Sequence, residues 1–259
     1  QVLGWFLTHD CQISEVHVHN MKLQSDERNE KIEAQLEAEH KPLGVVAVAP
    51  GSGTAKILES LGVDVVISGG QTMNPSTADI LAAVNKVNAD SVVILPNNKN
   101  IIMAAQACVE VSEKPCAVVA TTSVPQAFSA MFGFDGEASL EENVEAMTEA
   151  FAEVKTGEVT HAIKDSKDTH GNPIKDGDVI GIADGSIEAV GSDVSDVVLA
   201  LLETMEADDA DTMTILAGED FSDEDLEALV ARIEEAYEDL EIDPHRGEQA
   251  LYPVVFSLE

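Results

Sequence analysis

Four polar loops hold most of the side chains that can do chemistry. They read Pro50-Gly51-Ser52-Gly53, Gly69-Gly70-Gln71-Thr72-Met73-Asn74-Pro75-Ser76-Thr77, Pro96-Asn97-Asn98-Lys99-Asn100 and Thr121-Thr122-Ser123-Val124-Pro125-Gln126. Each follows a short apolar run and opens a helical pattern. Amides at the start of a helix are unpaired and carry a partial positive charge, so such loops favour anions and carbonyl groups. Gly, Asn, Ser and Pro are also what an ordinary strand-to-helix turn uses. It is the gathering of four polar loops on one rim that points to a functional surface. Lys99 is one of only 14 Lys and Arg residues. It can hold a carboxylate of a substrate or partner, or stand solvated. Gly51-Ser52-Gly53 lacks the full dinucleotide fingerprint, and no Walker motif or Gly-x-Ser-x-Gly elbow is present. No nucleophile with a base beside it can be read from the chain, so no catalytic residue is assigned.

Two further groups carry possible ligands. His17 and His19 stand two apart, on one face if the segment is a strand, and with Cys11 or His9 they can hold a metal. Alternating histidines on an ordinary strand face are the plain alternative. Near the end of the chain, His245, Gln249 and Tyr252 offer an imidazole, an amide and a phenol, enough for a hydrogen-bonded cluster. A structured loop before the last strand explains them equally. His161 and His170 fall among turn signals and read as exposed.

The elements that must position these groups follow from periodicity. Wholly apolar runs at residues 44–50, 64–68, 91–95 and 117–120 alternate with helical patterns, which is how a parallel sheet buried on both faces reads. Leu140, Val144, Met147, Phe151 and Val154 form one apolar helical stripe, with Ser139 as its N-cap. Turn signals then crowd residues 155–190 and predict antiparallel hairpins. A helix at 195–205, a strand at 212–216, a helix at 222–237 and a strand at 252–258 complete the chain. The fold class is α/β, a parallel βα sheet unit followed by a smaller mixed α/β unit. The expected division is 1–42 as a remnant and connector, 43–155 as the parallel lobe and 156–259 as the mixed lobe. Residues 21–42 are mostly charged and read as an exposed helix or connector.

Charge narrows the partners. The 259 residues include 49 Asp and Glu, for a formal net charge of −35. Such a surface repels phosphate backbones and anionic membranes, which argues against nucleic acid as a partner. A hydrophobic fraction of 44% fits a folded chain. No apolar run is long enough to span a membrane, and the first ten residues lack the features of a signal peptide. The start at Gln1 suggests a piece or a processed chain. Three cysteines make no disulfide framework, and a reducing cytoplasm is the expected location. A homodimer is compatible with the sequence, which does not fix the oligomeric state. The acidity itself fits either a specific electrostatic role or an acidic proteome.

Several strings resemble a known family. Residues 69–77, Ile94-Leu-Pro-Asn-Asn-Lys-Asn-Ile101, Glu142-Asn-Val-Glu-Ala-Met147, Val154-Lys-Thr-Gly-Glu-Val159 and Gly181-Ile-Ala-Asp-Gly185 look like the carboxy-terminal region of the bacterial fatty acid kinase A subunit, of the dihydroxyacetone-kinase-like family. His245, Gly247, Gln249, Tyr252 and Pro253 also agree with its terminal motif, while Arg246, Glu248 and Ala250 depart from it. The resemblance implies a parent protein whose amino-terminal domain binds ATP and magnesium. That parent phosphorylates a fatty acid held by a separate acyl-binding protein, for phospholipid synthesis. A middle domain carries a zinc-type site with a His-x-His pair matching His17 and His19, for which Cys11 is a candidate third ligand. No counterpart of the magnesium motif is present, so the chain alone is expected to be a docking and regulatory part rather than a kinase. On this reading Gly69, Gly70, Gln71, Thr72, Asn74, Asn97, Asn98, Lys99, Asn100, Ser123 and Gln126 form the partner surface, with His245, Gln249 and Tyr252 as further ligand-binding candidates. The rival readings are a stand-alone small-molecule kinase or phosphatase acting at the same rim, and a metal-stabilised spacer.

Overall fold

The apolar runs of the first half become strands, and the polar loop after each becomes a helix start. β1 (Lys41–Ala49), β2 (Val65–Ser68), β3 (Ala89–Leu95) and β4 (Cys116–Val118) alternate with α1 (Ser52–Ser60), α2 (Thr77–Lys86), α3 (Lys99–Val111) and α4 (Val124–Phe132). The computed structural model describes residues 40–69, 74–168 and 171–259. The four strands are all parallel, in the order β2-β1-β3-β4. Helices cover both faces, which is why β1 is buried without interruption from Leu43 to Ala49. On one face α2 and α3 pack through Ile80, Val84, Ile101 and Cys108. On the other, α1, α4 and α5 (Leu140–Ala150) pack through Leu58, Phe128 and Met147.

Serine caps set the helix starts. Ser76 and Asp79 form a reciprocal capping box before α2, and Ser139 and Glu142 form one before α5, at the N-cap expected from the sequence. Hydrogen bonds from Ser139 hold the Glu142 carboxyl below its usual range, and Ser76 does the same for Asp79. The apolar stripe outruns its helix. α5 ends at Ala150, and Val154 continues the buried line from the following turn.

The second half builds a mixed sheet from β5 (Lys155–His161), β8 (Val179–Ala183), β9 (Ser186–Gly191), β10 (Thr212–Ala217), β11 (Glu241–Arg246) and β12 (Val254–Leu258). Its order is β11-β10-β12-β5-β8-β9, and only β10 and β11 run parallel. A small hairpin, β6 (Ser166–Lys167) with β7 (Pro173–Ile174), stands beside it. α6 (Val194–Thr204) and α7 (Asp223–Ala236) cover one face through Val197, Leu201, Leu229 and Ile233. β11 is the element that the sequence conceals. It contains Pro244, which reads as a loop but is tolerated on a sheet edge.

Leu216 of β10 and Val255 of β12 join the same apolar cluster as β1, β3 and α4, so the two sheets share a core. By contact, Lys41–Glu259 is one compact unit. α4 lies within that shared core and is buried on nearly every side, as an apolar helix between two layers must be. Among the described residues, no helix is long and apolar enough to cross a membrane.

Gly157 fixes the packing at the centre of the mixed sheet. It pairs directly with Phe256, and a Cβ added there would lie 2.2 Å from the Phe256 ring. Gly157→Ala is therefore expected to cost about 1–3 kcal/mol through overpacking. Adding Phe256→Leu, which makes room, should recover part of that loss. Urea unfolding of the single and double variants measures both terms.

Candidate functional site

In a parallel sheet the loops after the strands share one edge. The chain leaves β1 towards β2 on one side and leaves β3 towards β4 on the other. The crevice between the loops after β1 and β3 is thus the switch point at which open α/β sheets take their ligands. In this chain the crevice is filled from within. The loop after β11 enters it, and the Gly247 carbonyl accepts from the Gly53 and Thr54 amides, each at 3.1 Å. Those amides lie in the first turn of α1. The Ser52 hydroxyl bonds the Glu248 carboxylate alongside. A Cβ on Gly53 would come within 1.8 Å of the Arg246 carbonyl oxygen, and one on Gly51 within 2.3 Å of that of Gly247. The Gly-Ser-Gly turn, which the sequence offers as an anion site, is the seat of the chain's own loop.

The rest of that loop is tied down with equal care. Gln249 is buried, and its amide donates to the Leu216 carbonyl at 2.7 Å and the Tyr252 carbonyl at 3.2 Å. Among the described residues its own Oε1 has no hydrogen-bond partner. The Arg246 guanidinium donates to the Phe221 and Gly218 carbonyls. The space left in the crevice is about 30 Å³, edged by Pro50, Thr54, Asn97 and Gln249. That is room for about one water.

The loops after β3 and β4 remain open. With β5, the β8–β9 turn and Tyr252 they border a cleft of about 290 Å³. Asn97, at φ 57°, is inside the wall rather than on its surface. Its amide donates to the Val48 carbonyl at 2.8 Å, and its carbonyl accepts from the Thr121 hydroxyl at 2.6 Å, bolting the loop to β1. Asn98 caps α3 by accepting from the Asn100 amide. Ser123 caps α4 and lies 2.9 Å from the Thr156 hydroxyl, so the two sheets touch through a pair of side chains. Gln126 turns inwards and accepts from the Thr122 amide and hydroxyl. Lys99 spans the cleft mouth and donates to the Asp184 carbonyl at 3.0 Å, while Asp184 Oδ1 accepts from the Thr156 amide.

Glu158 borders the cleft from β5. Burial pushes its carboxyl up, and the Lys99 ammonium pulls it partly back. Burial and the Glu158 charge together push the Tyr252 phenol up. Beyond Tyr252 a second groove of about 500 Å³ opens, flanked by Ile163, Ile180, Ile182, Leu251 and Pro253. Ile163 is 87% exposed and Leu251 54%.

Five of the residues expected at the site from sequence, Asn98, Lys99, Asn100, Ser123 and Tyr252, thus border one cleft. Gly69 and Asn74 lie on the same rim, after β2 and before α2. Gln249 belongs to the filled crevice. His245 lies on the edge strand β11 and pairs with Asp243 at 2.8 Å, rather than clustering with Gln249 and Tyr252. Gly70, Gln71, Thr72, Cys11, His17 and His19 lie outside the described residues. Among the described residues, no three His, Cys, Asp or Glu side chains are arranged to hold a metal. Thr156, Glu158 and Asp184 complete the cleft from the other sheet; the sequence marks them only as members of the family-like strings at 154–159 and 181–185, not as site residues.

Two measurements check this geometry. Asn97→Ala should cost about 1–3 kcal/mol, because it leaves the buried Val48 carbonyl unpaired. Asn97→Gly relieves the positive φ, yet it should recover only the backbone share of that loss. Glu158 supplies a pH test. A carboxyl raised on folding favours the folded state at low pH, and that advantage is lost as pH rises through its folded pKa. Glu158→Gln should therefore melt above the parent protein at alkaline pH, with the gap closing as the medium becomes acidic.

Comparison with known proteins agrees with this architecture. Residues 44–259 match the FakA-like C-terminal family, the carboxy-terminal part of fatty acid kinase A-subunit-like proteins. Protein YloV of Bacillus subtilis (strain 168) is 39% identical over 98% of the chain, and the uncharacterized protein SH1689 of Staphylococcus haemolyticus is 37% identical over 96%. The match covers 46% of each relative, so the chain spans about half the length of the curated relatives it matches. The fold is shared with the DegV family protein Cg2579 of Corynebacterium glutamicum, at TM-score 0.59 and 15% identity, over 84% of this chain and 96% of that one. It is shared too with the Streptococcus pneumoniae fatty acid kinase B3 protein loaded with linoleic acid, at TM-score 0.54 and 14% identity, over 84% of this chain and 99% of that one. At such identities the likeness is one of fold alone. The family match over most of the chain carries the assignment: this chain belongs to the FakA-like C-terminal family of fatty acid kinase A-subunit-like proteins.

Proposed function

We propose that this chain is the docking part of a fatty-acid-kinase-related protein, and that its open rim receives a fatty-acid-binding partner protein. One observation carries the reading. The crevice where a sheet of this order takes a small ligand is filled by the chain's own loop, while the rim beside it stays open. The rim combines a polar cleft with an exposed apolar groove, joined at Tyr252. Apolar area bordered by polar groups is how protein interfaces are commonly built. The likeness to the linoleate-loaded B3 protein and the family match support a partner of the fatty-acid-binding kind. On this reading nucleotide chemistry belongs to a part of the parent protein that this chain does not span, in keeping with its covering 46% of the relative YloV.

The net charge of −35 gives docking a direction. A partner with a basic face is steered towards this surface, and steering acts chiefly on the association rate. Raising ionic strength from about 0.01 M to about 1 M shortens the screening length from about 30 Å to about 3 Å. Association of the two proteins should slow markedly over that range.

Asn74 and Asn100 are exposed on the rim and form no part of its core. The double variant Asn74→Arg with Asn100→Arg adds bulk and positive charge. It should weaken binding of the fatty-acid-binding partner at least about ten-fold, or about 1.4 kcal/mol, with melting unchanged. Calorimetric titration reads the affinity. An unchanged constant removes this rim from the interface.

A further inference from the structure

The segment that fills the switch-point crevice leaves one acceptor over. Both hydrogens of the Gln249 amide are spent, on the Leu216 and Tyr252 carbonyls, so the group cannot be turned round and its Oε1 can only accept. Gln249 is 1% exposed, and among the described residues Oε1 has no hydrogen-bond partner. That oxygen lies against Gly247, where an added Cβ would come within 2.0 Å of it. Gln249 and Glu158 border the same space of about 30 Å³. Among the described residues the Glu158 carboxylate accepts no hydrogen bond and forms no ion pair. Thr54 borders that space too, and its hydroxyl hydrogen is given to the backbone carbonyls of Pro50 and Gly51. The space is thus edged by an amide, a carboxylate and a hydroxyl that all have lone pairs to give.

We propose that this space takes one dehydrated monovalent cation of about potassium's size, held by Gln249 Oε1, the Glu158 carboxylate and the Thr54 hydroxyl. The proposal is independent of the docking reading. Three features select the ligand. Size is the first. The space has room for about one water, and a potassium ion stripped of its hydration shell is of similar size. Charge is the second. The ligand set carries a single negative charge, that of Glu158, and a buried charge is stable when it is paired or binds a metal. A water molecule satisfies acceptors but leaves that charge unopposed. Donor chemistry is the third. Magnesium keeps several of its waters, and calcium takes about six to eight oxygens, so neither suits a space this small with one carboxylate. Zinc is set aside by the ligands themselves, which include no His or Cys. Glu158 also borders the open cleft, which gives the ion its way in. The bound cation ties the loop before β12, through Gln249, to β5 at Glu158 and to the first turn of α1 at Thr54.

The test melts the full chain in the chloride salts of potassium and of choline, a cation too large to enter, at equal ionic strength and one alkaline pH. The parent chain should melt at least about 2 °C higher in potassium, since an ion that binds only the folded state stabilises it by mass action. Glu158→Gln keeps the shape and removes the charge. Gln249→Met keeps the length and removes the oxygen. Each should lose most of that difference. A general salt effect acts on parent and variants alike, so the loss is the readout. Choline is the medium in which Glu158→Gln should melt furthest above the parent, and potassium should narrow that gap. Thallium(I), which enters potassium sites and is spin-active, should give a bound magnetic resonance with the parent chain and none with Glu158→Gln. Where Gln249→Met does not fold, Glu158→Gln decides the matter with thallium. If the parent melts equally in the two salts, the space holds water alone and the proposal falls. It falls also if both variants keep the full difference, since the ion then sits elsewhere. If only Gln249→Met keeps it, the ion sits in the open cleft and the crevice assignment is overturned. None of these results bears on the docking reading, which is read from partner affinity.

Discussion

The Gly247 carbonyl holds the first turn of α1, and much of the molecule depends on that contact. Two helix amides that would otherwise point into the switch-point crevice point at the chain's own backbone. The contact requires main chain to lie on main chain, which is why Gly51 and Gly53 have no room for a Cβ. It also draws the segment from Arg246 to Tyr252 between the two sheets. Gln249 and Arg246 then fasten that segment to β10 and to the loop beyond it. With that crevice filled, the open surface of the sheet edge is the neighbouring rim.

The rim joins two sheets of different character. Asn97 bolts the loop after β3 to β1 from inside, so Asn98, Lys99 and Asn100 are presented on a rigid support. Ser123 and Thr156 touch across the gap, and Lys99 reaches the turn between β8 and β9. Each of these last two contacts has one end in the parallel sheet and the other in the mixed sheet. The cleft exists only because both sheets are in place. Any loosening of their shared core, at Leu216 or Val255 for instance, would alter it.

Tyr252 divides the surface by polarity. On one side lie hydroxyls, amides, Lys99 and Glu158; on the other lie Ile180, Ile182, Leu251 and Pro253. The division follows from the path of the loop before β12 across one face of β5. Glu158 and Thr160 face the same side of β5, and Thr160 donates to the Leu251 carbonyl, holding that loop over the sheet. A small polar cleft and an apolar groove thus lie side by side on an acidic chain.

The sequence by itself determined the layers. Continuous apolar runs can be buried only between two layers of helices, so β1, β3 and their neighbours were legible as a parallel sheet. Ser139 marked the start of α5, and turn signals marked the antiparallel region in which β8 and β9 pair. The four polar loops were legible as one rim, because parallel strands all end at the same edge. What the sequence did not determine was which loops are open. Gly51-Ser52-Gly53 reads locally either as a ligand turn or as an ordinary strand-to-helix turn, and only the distant loop at Gly247 shows that its amides are already used. Glu158 and Asp184 stand in family-like strings, but nothing local marks them as site residues, since an acid on a strand and an acid in a turn are ordinary features. Their place in the cleft depends on β5 pairing with β12 and β8, contacts far apart in the chain. Local pattern records the solvent that a segment prefers, whereas the site is made by long-range pairing, and only the tertiary structure decides that.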